Sequence, residues 1–171
     1  MAVFKIVVTG PFNSGKTEFI KTISEIPVVS TEKRITTEDR GIKGETTVAM
    51  DYGRLTLGND IVHLNGTPGQ ARFDFMWEIL AKEMNAFIVL VDSTDPPSFP
   101  DAAELVDVFS SYHDVPHIIA ANKTDIPGSA NLSQVMRGVN PDGTVTVMPC
   151  VATQKSSVRQ VLLQVVELLR Q

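Results

Sequence analysis

The chain has 171 residues and a mass of 18.7 kDa, the length of one ordinary domain that buries roughly two-thirds of its unfolded surface. With 43% hydrophobic and 20% charged residues it has a globular composition, which excludes disordered and fibrous classes. A net charge of −5, no basic block, and a longest apolar run of only Ala86 to Val91 argue against nucleic acid as the main partner and against a membrane span.

Val3 to Thr9 is rich in β-branched residues, Gly10 to Gly15 is turn-like, and Lys16 to Glu25 carries Phe19, Ile20 and Ile23 at helical spacing. This reads as strand, loop, helix. From Ile26 to Glu45 no periodicity is sustained, and residues 31–45 hold four charges of each sign, so a long irregular loop is expected. Residues 46–57 and Ile61 to Asn65 form a hairpin about Gly58-Asn59-Asp60. Ala86 to Asp92 is a buried strand, and Ser98 is placed to cap a helix whose apolar face is Ala102, Leu105 and Phe109. A strand at His117 to Asn122, a short helix at Asn131 to Arg137 and a strand at Thr144 to Pro149 follow. The last helix sets Val158, Val161, Leu162, Val165, Val166 and Leu169 on one face. Alternating strands and helices predict an α/β fold with a mostly parallel six-stranded sheet and one antiparallel edge hairpin, helices on both faces, and ligands at the carboxyl ends of the strands.

Two motifs carry the chemistry. Gly10-Pro-Phe-Asn-Ser-Gly15-Lys16-Thr17 fits the phosphate-loop pattern G-x-x-x-x-G-K-[ST] between a predicted strand and a predicted helix. Its glycines let successive amides face an anion, Lys16 can reach terminal phosphates, and Thr17 can reach magnesium. Asn122-Lys123-Thr124-Asp125 follows the fifth strand, where an ionised Asp125 can accept two charge-assisted bonds from the N1–H and N2 amino edge of guanine.

With both in place, the sequence resembles the Ras-like small GTPases over essentially its whole length, as a single domain spanning 1–171 with the three-layer P-loop NTPase fold. The resemblance implies a phosphate cradle of Gly10, Asn13, Ser14, Gly15, Lys16 and Thr17. It implies guanine contacts from Asn122, Lys123 and Asp125, with Ala152 in Cys150-Val-Ala-Thr153 offering an N–H to the guanine oxygen. It makes the irregular loop a first switch, in which Thr47 closes with Thr17 over Mg2+ and the γ-phosphate. Gly66-Thr-Pro-Gly69-Gln70 resembles the second switch, with the Gly69 amide on the γ-phosphate and Gln70 orienting the attacking water. Gln70, Lys16 and Thr47 are thus the expected catalytic residues, and Thr17 and Thr47 the metal ligands. The phrases Gly-Thr-Pro-Gly-Gln and Thr-Thr-Val-Ala-Met-Asp are most similar to a bacterial branch related to the gliding-motility GTPases.

Two positions depart from that pattern. Gly66 stands where most of the family has an aspartate that holds magnesium through water, and the neighbouring Asn65 points to the opposite face. Phe12 brings a bulky side chain into the loop where relatives carry glycine. Asp92 is expected to bond loop amides rather than to join the magnesium shell, Arg34 and Arg40 read as solvated loop charges before internal arginine fingers, and Phe73, Phe75, Met76 and Trp77 read equally as core or as partner surface. His63, His113 and His117 lack metal-ligand spacing and read as structural.

The expected function is a GTP/GDP- and magnesium-binding molecular switch with slow GTP hydrolysis; a nucleotide-binding scaffold with little turnover is the alternative. The single Cys150 and the absence of signal-peptide, myristoylation or prenylation patterns predict a cytoplasmic protein without a lipid anchor. The resemblance implies a Roadblock-type regulatory partner.

Overall fold

The computed structural model describes residues 1–39, 42–67 and 74–171, with side chains described outside 30–49 and 74–76. In chain order the elements are β1 (Val3–Thr9), α1 (Lys16–Ile23), β2 (Val29–Asp39), β3 (Ile42–Leu57), β4 (Asp60–Gly66), α2 (Asp74–Ala81), β5 (Ala86–Asp92), α3 (Phe99–Tyr112), β6 (His117–Asn122), α4 (Leu132–Val139), β7 (Thr146–Cys150) and α5 (Lys155–Leu169). The strands form one sheet in the order β2-β3-β4-β1-β5-β6-β7, antiparallel at β2/β3 and β3/β4 and parallel elsewhere.

Strand periodicity divides the core between the two faces of this sheet. Ile6 and Val8 of β1, with Ile88 and Leu90 of β5, pack under Phe19, Ile20 and Ile23 of α1 and under Val158, Val161, Leu162 and Val165 of α5. The residues between them in sequence, Val7, Phe87, Val89 and Val91, face Ala102, Leu105 and Phe109 of α3 and Val135 and Val139 of α4. All seven residues of β5 are buried, as expected of a strand covered on both sides. The expected α/β fold with helices on both faces is therefore present, and all six expected strands are in it.

The antiparallel edge is larger than expected. Residues 29–39, read as irregular, form β2, which pairs with β3 from Val29 opposite Tyr52 to Asp39 opposite Ile42. This gives seven strands among the described residues. An edge strand needs no apolar alternation: Thr31, Ile35, Thr36 and Thr37 favour extended backbone, the ladder to β3 supplies the pairing, and charges are common at sheet edges.

One local reading also changes. Ser98 does not cap α3; its hydroxyl donates to the carbonyl of Asp95 at 2.7 Å within the 3₁₀ turn Pro96–Ser98. Of the group read as either core or partner surface, Trp77 is core, its ring buried 5.9 Å from that of Phe109. A large aromatic on α2 gains more from this core than from solvent. Phe73, Phe75, Met76, Arg34 and Arg40 fall outside the side chains described. His63 stacks on Tyr52 and His117 on Phe87, structural roles as read.

Candidate functional site

The carboxyl end of β1 opens into a turn that only glycine makes easily. Gly10 has φ +156° and Gly15 has φ +102°, a region that side chains disfavour. A Cβ on Gly15 would lie 2.3 Å from Asn122 Nδ2. Glycine there lets the loop seat directly against the end of β6. Gly15 also starts α1 without a side-chain cap, which leaves the first-turn amides of the helix for an anion. Asn13 holds a left-handed φ of +64°, which asparagine tolerates better than most residues.

Inside this loop, Lys16 Nζ donates to the carbonyls of Gly10 at 2.7 Å and Pro11 at 2.9 Å. Burial pushes its pKa down to about 8, against the opposing charge of Asp51. The Ser14 hydroxyl is buried with no hydrogen-bond partner among the described residues. A polyphosphate supplies what these groups lack, an anion for a desolvated ammonium and an acceptor for a buried hydroxyl. The loop borders a cleft of about 520 Å³, lined also by Phe12, Thr17, Asp51, Gly66, Thr67 and Lys123. Phe12 stands exposed at its lip.

The two sequence motifs are joined through Asn122, a buried residue at the end of β6. Its Nδ2 donates to the Ser14 carbonyl and its Oδ1 accepts from the Ala152 amide, both at 2.9 Å. The Thr22 hydroxyl of α1 donates to the Ala152 carbonyl at 2.5 Å. Asn122 thereby acts as a brace between the phosphate loop and the turn after β7. The Ala152 amide, expected to face a guanine oxygen, here donates to Asn122. Lys123, at φ +64°, reaches back to the Asn13 carbonyl at 3.1 Å and pairs with Asp92 at 2.8 Å. Lys123 also lines the cleft. Asp125 is exposed in the turn that follows and does not line the cleft.

Asp92 behaves as its position suggested. It accepts from the Thr94 amide at 2.9 Å and the Thr94 hydroxyl at 2.6 Å. Burial pushes its pKa up, but the bonds from Lys123 and Thr94 and the lysine charge outweigh this and hold the carboxyl below its ordinary value. Asn65 lies away from the phosphate loop and lines a separate cleft with Lys5, Tyr52 and His63, as strand alternation requires.

The sequence reading missed Asp51. Thr17 Oγ1 donates to Asp51 Oδ2 at 2.6 Å across the cleft. No group of three or more His, Cys, Asp or Glu side chains converges on a metal site among the described residues. The donors present, a hydroxyl and one carboxylate, suit a magnesium ion that takes most of its shell from phosphate oxygens and water. The backbone of Thr47 pairs with Arg34, about 13 Å along β3 from Asp51 at strand rise, and its side chain is outside those described. Gly69 and Gln70 also lie outside the described residues.

Comparison with known proteins fits this geometry. Residues 8–171 match a family described as "Conserved hypothetical ATP binding protein". An uncharacterized protein of Methanocaldococcus jannaschii, MJ1339, is 34% identical over 137 residues, 80% of each chain. ADP-ribosylation factor-like protein 10 of Mus musculus is 29% identical over 78% of this chain and 50% of its own. ADP-ribosylation factor-like protein 8b of Arabidopsis thaliana is 33% identical over 48% of this chain and 47% of its own. These matches support nucleotide binding on a P-loop scaffold like that of the small GTPases.

Proposed function

The chain belongs to the family described as conserved hypothetical ATP binding protein, and from that premise we propose that its nucleotide is nevertheless a guanine nucleotide. In this reading it binds GTP and GDP with Mg2+ and cleaves GTP slowly as a molecular switch. The observation that carries the reading is the Asn122 brace, with its bonds to Ser14 and Ala152. It joins the phosphate loop to the first residue of the Asn-Lys-x-Asp turn, which supports a base held by the turn that carries Asp125. A carboxylate there accepts from the donor pair of guanine, which adenine lacks.

The chain's own groups divide the work. Lys16 exchanges its bonds to the Gly10 and Pro11 carbonyls for the terminal phosphates, where its charge counters the charge developing in phosphoryl transfer. The first-turn amides of α1 hold the phosphates without reorganising. Gln70 orients the attacking water, Gly69 contributes its amide, and Thr47 closes over the γ-phosphate when the first switch is ordered. Bound magnesium supplies Lewis-acid neutralisation of the phosphate oxygens. The chain acts as a single domain, in the cytoplasm, with a regulatory partner of the Roadblock type at the switch face. The phrases Gly66–Gln70 and Thr46–Asp51 support kinship with the gliding-motility branch. Among the described residues no helix is long and apolar enough to cross a membrane.

Competition between fluorescent GDP and unlabelled ADP, ATP, GDP and GTP on nucleotide-stripped protein tests the reading. Displacement by guanine nucleotides at concentrations at least 100-fold below those of adenine nucleotides is expected. Equal competition by ATP overturns it. A nucleotide-binding scaffold is the second reading, favoured by Gly66, and is decided by single-turnover GTP cleavage.

A further inference from the structure

A second cavity, of about 490 Å³, lies between α3, the start of β6 and the segment that joins α4 to β7. β6 runs from His117, which lines this cavity, to Asn122 beside the phosphate loop, so the two places are about 17 Å apart along one strand. On α3 the lining residues are Ala103, Val106, Asp107 and Ser110, the i, i+3, i+4, i+7 spacing of a single helix face. Val106 and Val139, both buried, give the cavity an apolar floor.

Apart from the Ser110 hydroxyl, which serves either way, its uncommitted polar atoms are acceptors. The Asp107 carboxylate has no hydrogen-bond or ion-pair partner among the described residues. Asp142 brings a second carboxylate, whose Oδ1 accepts from the Thr144 amide at 3.3 Å and the Thr144 hydroxyl at 3.1 Å. Asn140, 5% exposed, donates its Nδ2 to the Val145 carbonyl at 2.7 Å, which leaves its Oδ1 to accept. His117 Nδ1 lies 3.1 Å from the Val115 carbonyl and must donate there, so the neutral ring accepts at Nε2. No lysine or arginine lines the cavity among the described residues. Acceptors above an apolar floor, two of them charged, complement a cation with several donors and an aliphatic stem. A guanidinium presents five donors in a planar fork and is more weakly hydrated than an ammonium. Asp107, Ser110 and Asp142 are exposed, and such a rim leaves a free small ligand largely in water, whereas small-molecule sites bury most of theirs. A side chain that projects from a second protein surface brings its own cover.

We propose that this cavity docks an arginine side chain of a partner protein, at the end of the sheet remote from the phosphate loop. The inference does not depend on which nucleotide the chain binds. Peptides are selected from a random phage-displayed library on the full-length protein, with the double variant Asp107→Asn, Asp142→Asn as counter-target. Asparagine at 142 still accepts from Thr144, and thermal midpoints of parent and variant report on folding. Should the double variant unfold early, Asp107→Asn alone, at an exposed helix position, takes its place. Peptides selective for the parent should share an arginine. In fluorescence polarisation, citrulline in place of that arginine, which keeps its outline without the charge, should weaken binding about 10-fold or more, as should the variant protein. No parent-selective peptide, selected peptides without a shared arginine, or a citrulline peptide that binds as tightly overturns the proposal. Agmatine that binds the parent more tightly than every arginine peptide makes the occupant a free guanidinium compound and overturns the commitment to a protein partner.

Discussion

Lys16 shows how one residue couples the site to pH. In the unfolded chain its ammonium stays charged to about 10.5, whereas burial in the loop lowers its pKa to about 8. Between these values the unfolded chain binds more protons, so this group's contribution to stability rises with pH in nucleotide-free protein. A bound phosphate favours the ammonium, so nucleotide binding in that window takes up a proton and weakens as pH rises. Calorimetric titration with GDP at pH 8.5, in two buffers of different ionisation enthalpy, should register proton uptake; none, or net release, would refute this. Asp125 belongs to the same scale. Asp125→Asn presents a donor where the carboxylate only accepts, so affinity should shift from GDP toward xanthosine diphosphate by 10-fold or more, read as the ratio of their dissociation constants. The phosphate loop and the Asn-Lys-x-Asp turn were legible because both depend on residue type at fixed spacing. Asp51 was not, because its place beside Thr17 depends on strand register.

Elements differ in how far their own sequence explains them. For α4, Asn131 accepts from the Gln134 amide and the Gln134 side chain accepts from the Asn131 amide, both at 2.9 Å, a reciprocal cap written in four residues. Asn131→Ala should cost about 1 kcal/mol of global stability in denaturant titration. The β2–β3 hairpin is the contrasting case, since its pairing holds Thr47 about 13 Å from the cleft along the strand. If Thr47 is to reach Thr17, the ladder beyond Asp51 must open. Amides in residues 31–38 and 43–49 should therefore exchange hydrogen faster with a non-hydrolysable GTP analogue than with GDP. Equal or greater protection with the analogue would mean that Thr47 does not close over the nucleotide.

At the scale of the molecule, binding and turnover are separable. In the proposed reading the phosphate loop and α1 bind the nucleotide without Gln70, whose proposed task is to orient water. Gln70→Leu should accordingly reduce single-turnover GTP cleavage by 10-fold or more while changing GTP affinity less than twofold. Cleavage as fast as the parent's would remove Gln70 from the mechanism, and no cleavage by the parent would leave the scaffold reading. Trp77, buried against Phe109, reports on the packing of α2 against α3, so its fluorescence follows changes transmitted to that helix.

The sequence by itself determined the phosphate loop, the Asn-Lys-x-Asp turn, the buried parallel strands and the amphipathic α5. Each is set by residue type and short-range spacing, through glycine at positive φ, a two-residue strand period or a helical one. Only the tertiary structure decided the rest. β2 exists because β3 offers it a backbone ladder, which leaves no periodic trace in side chains. Asn122 braces two loops because strand order brings Ser14 and Ala152 to the same sheet end. The carboxylate nearest Thr17 comes from Asp51 because an antiparallel register, which no single segment encodes, sets it opposite a glycine that leaves it room.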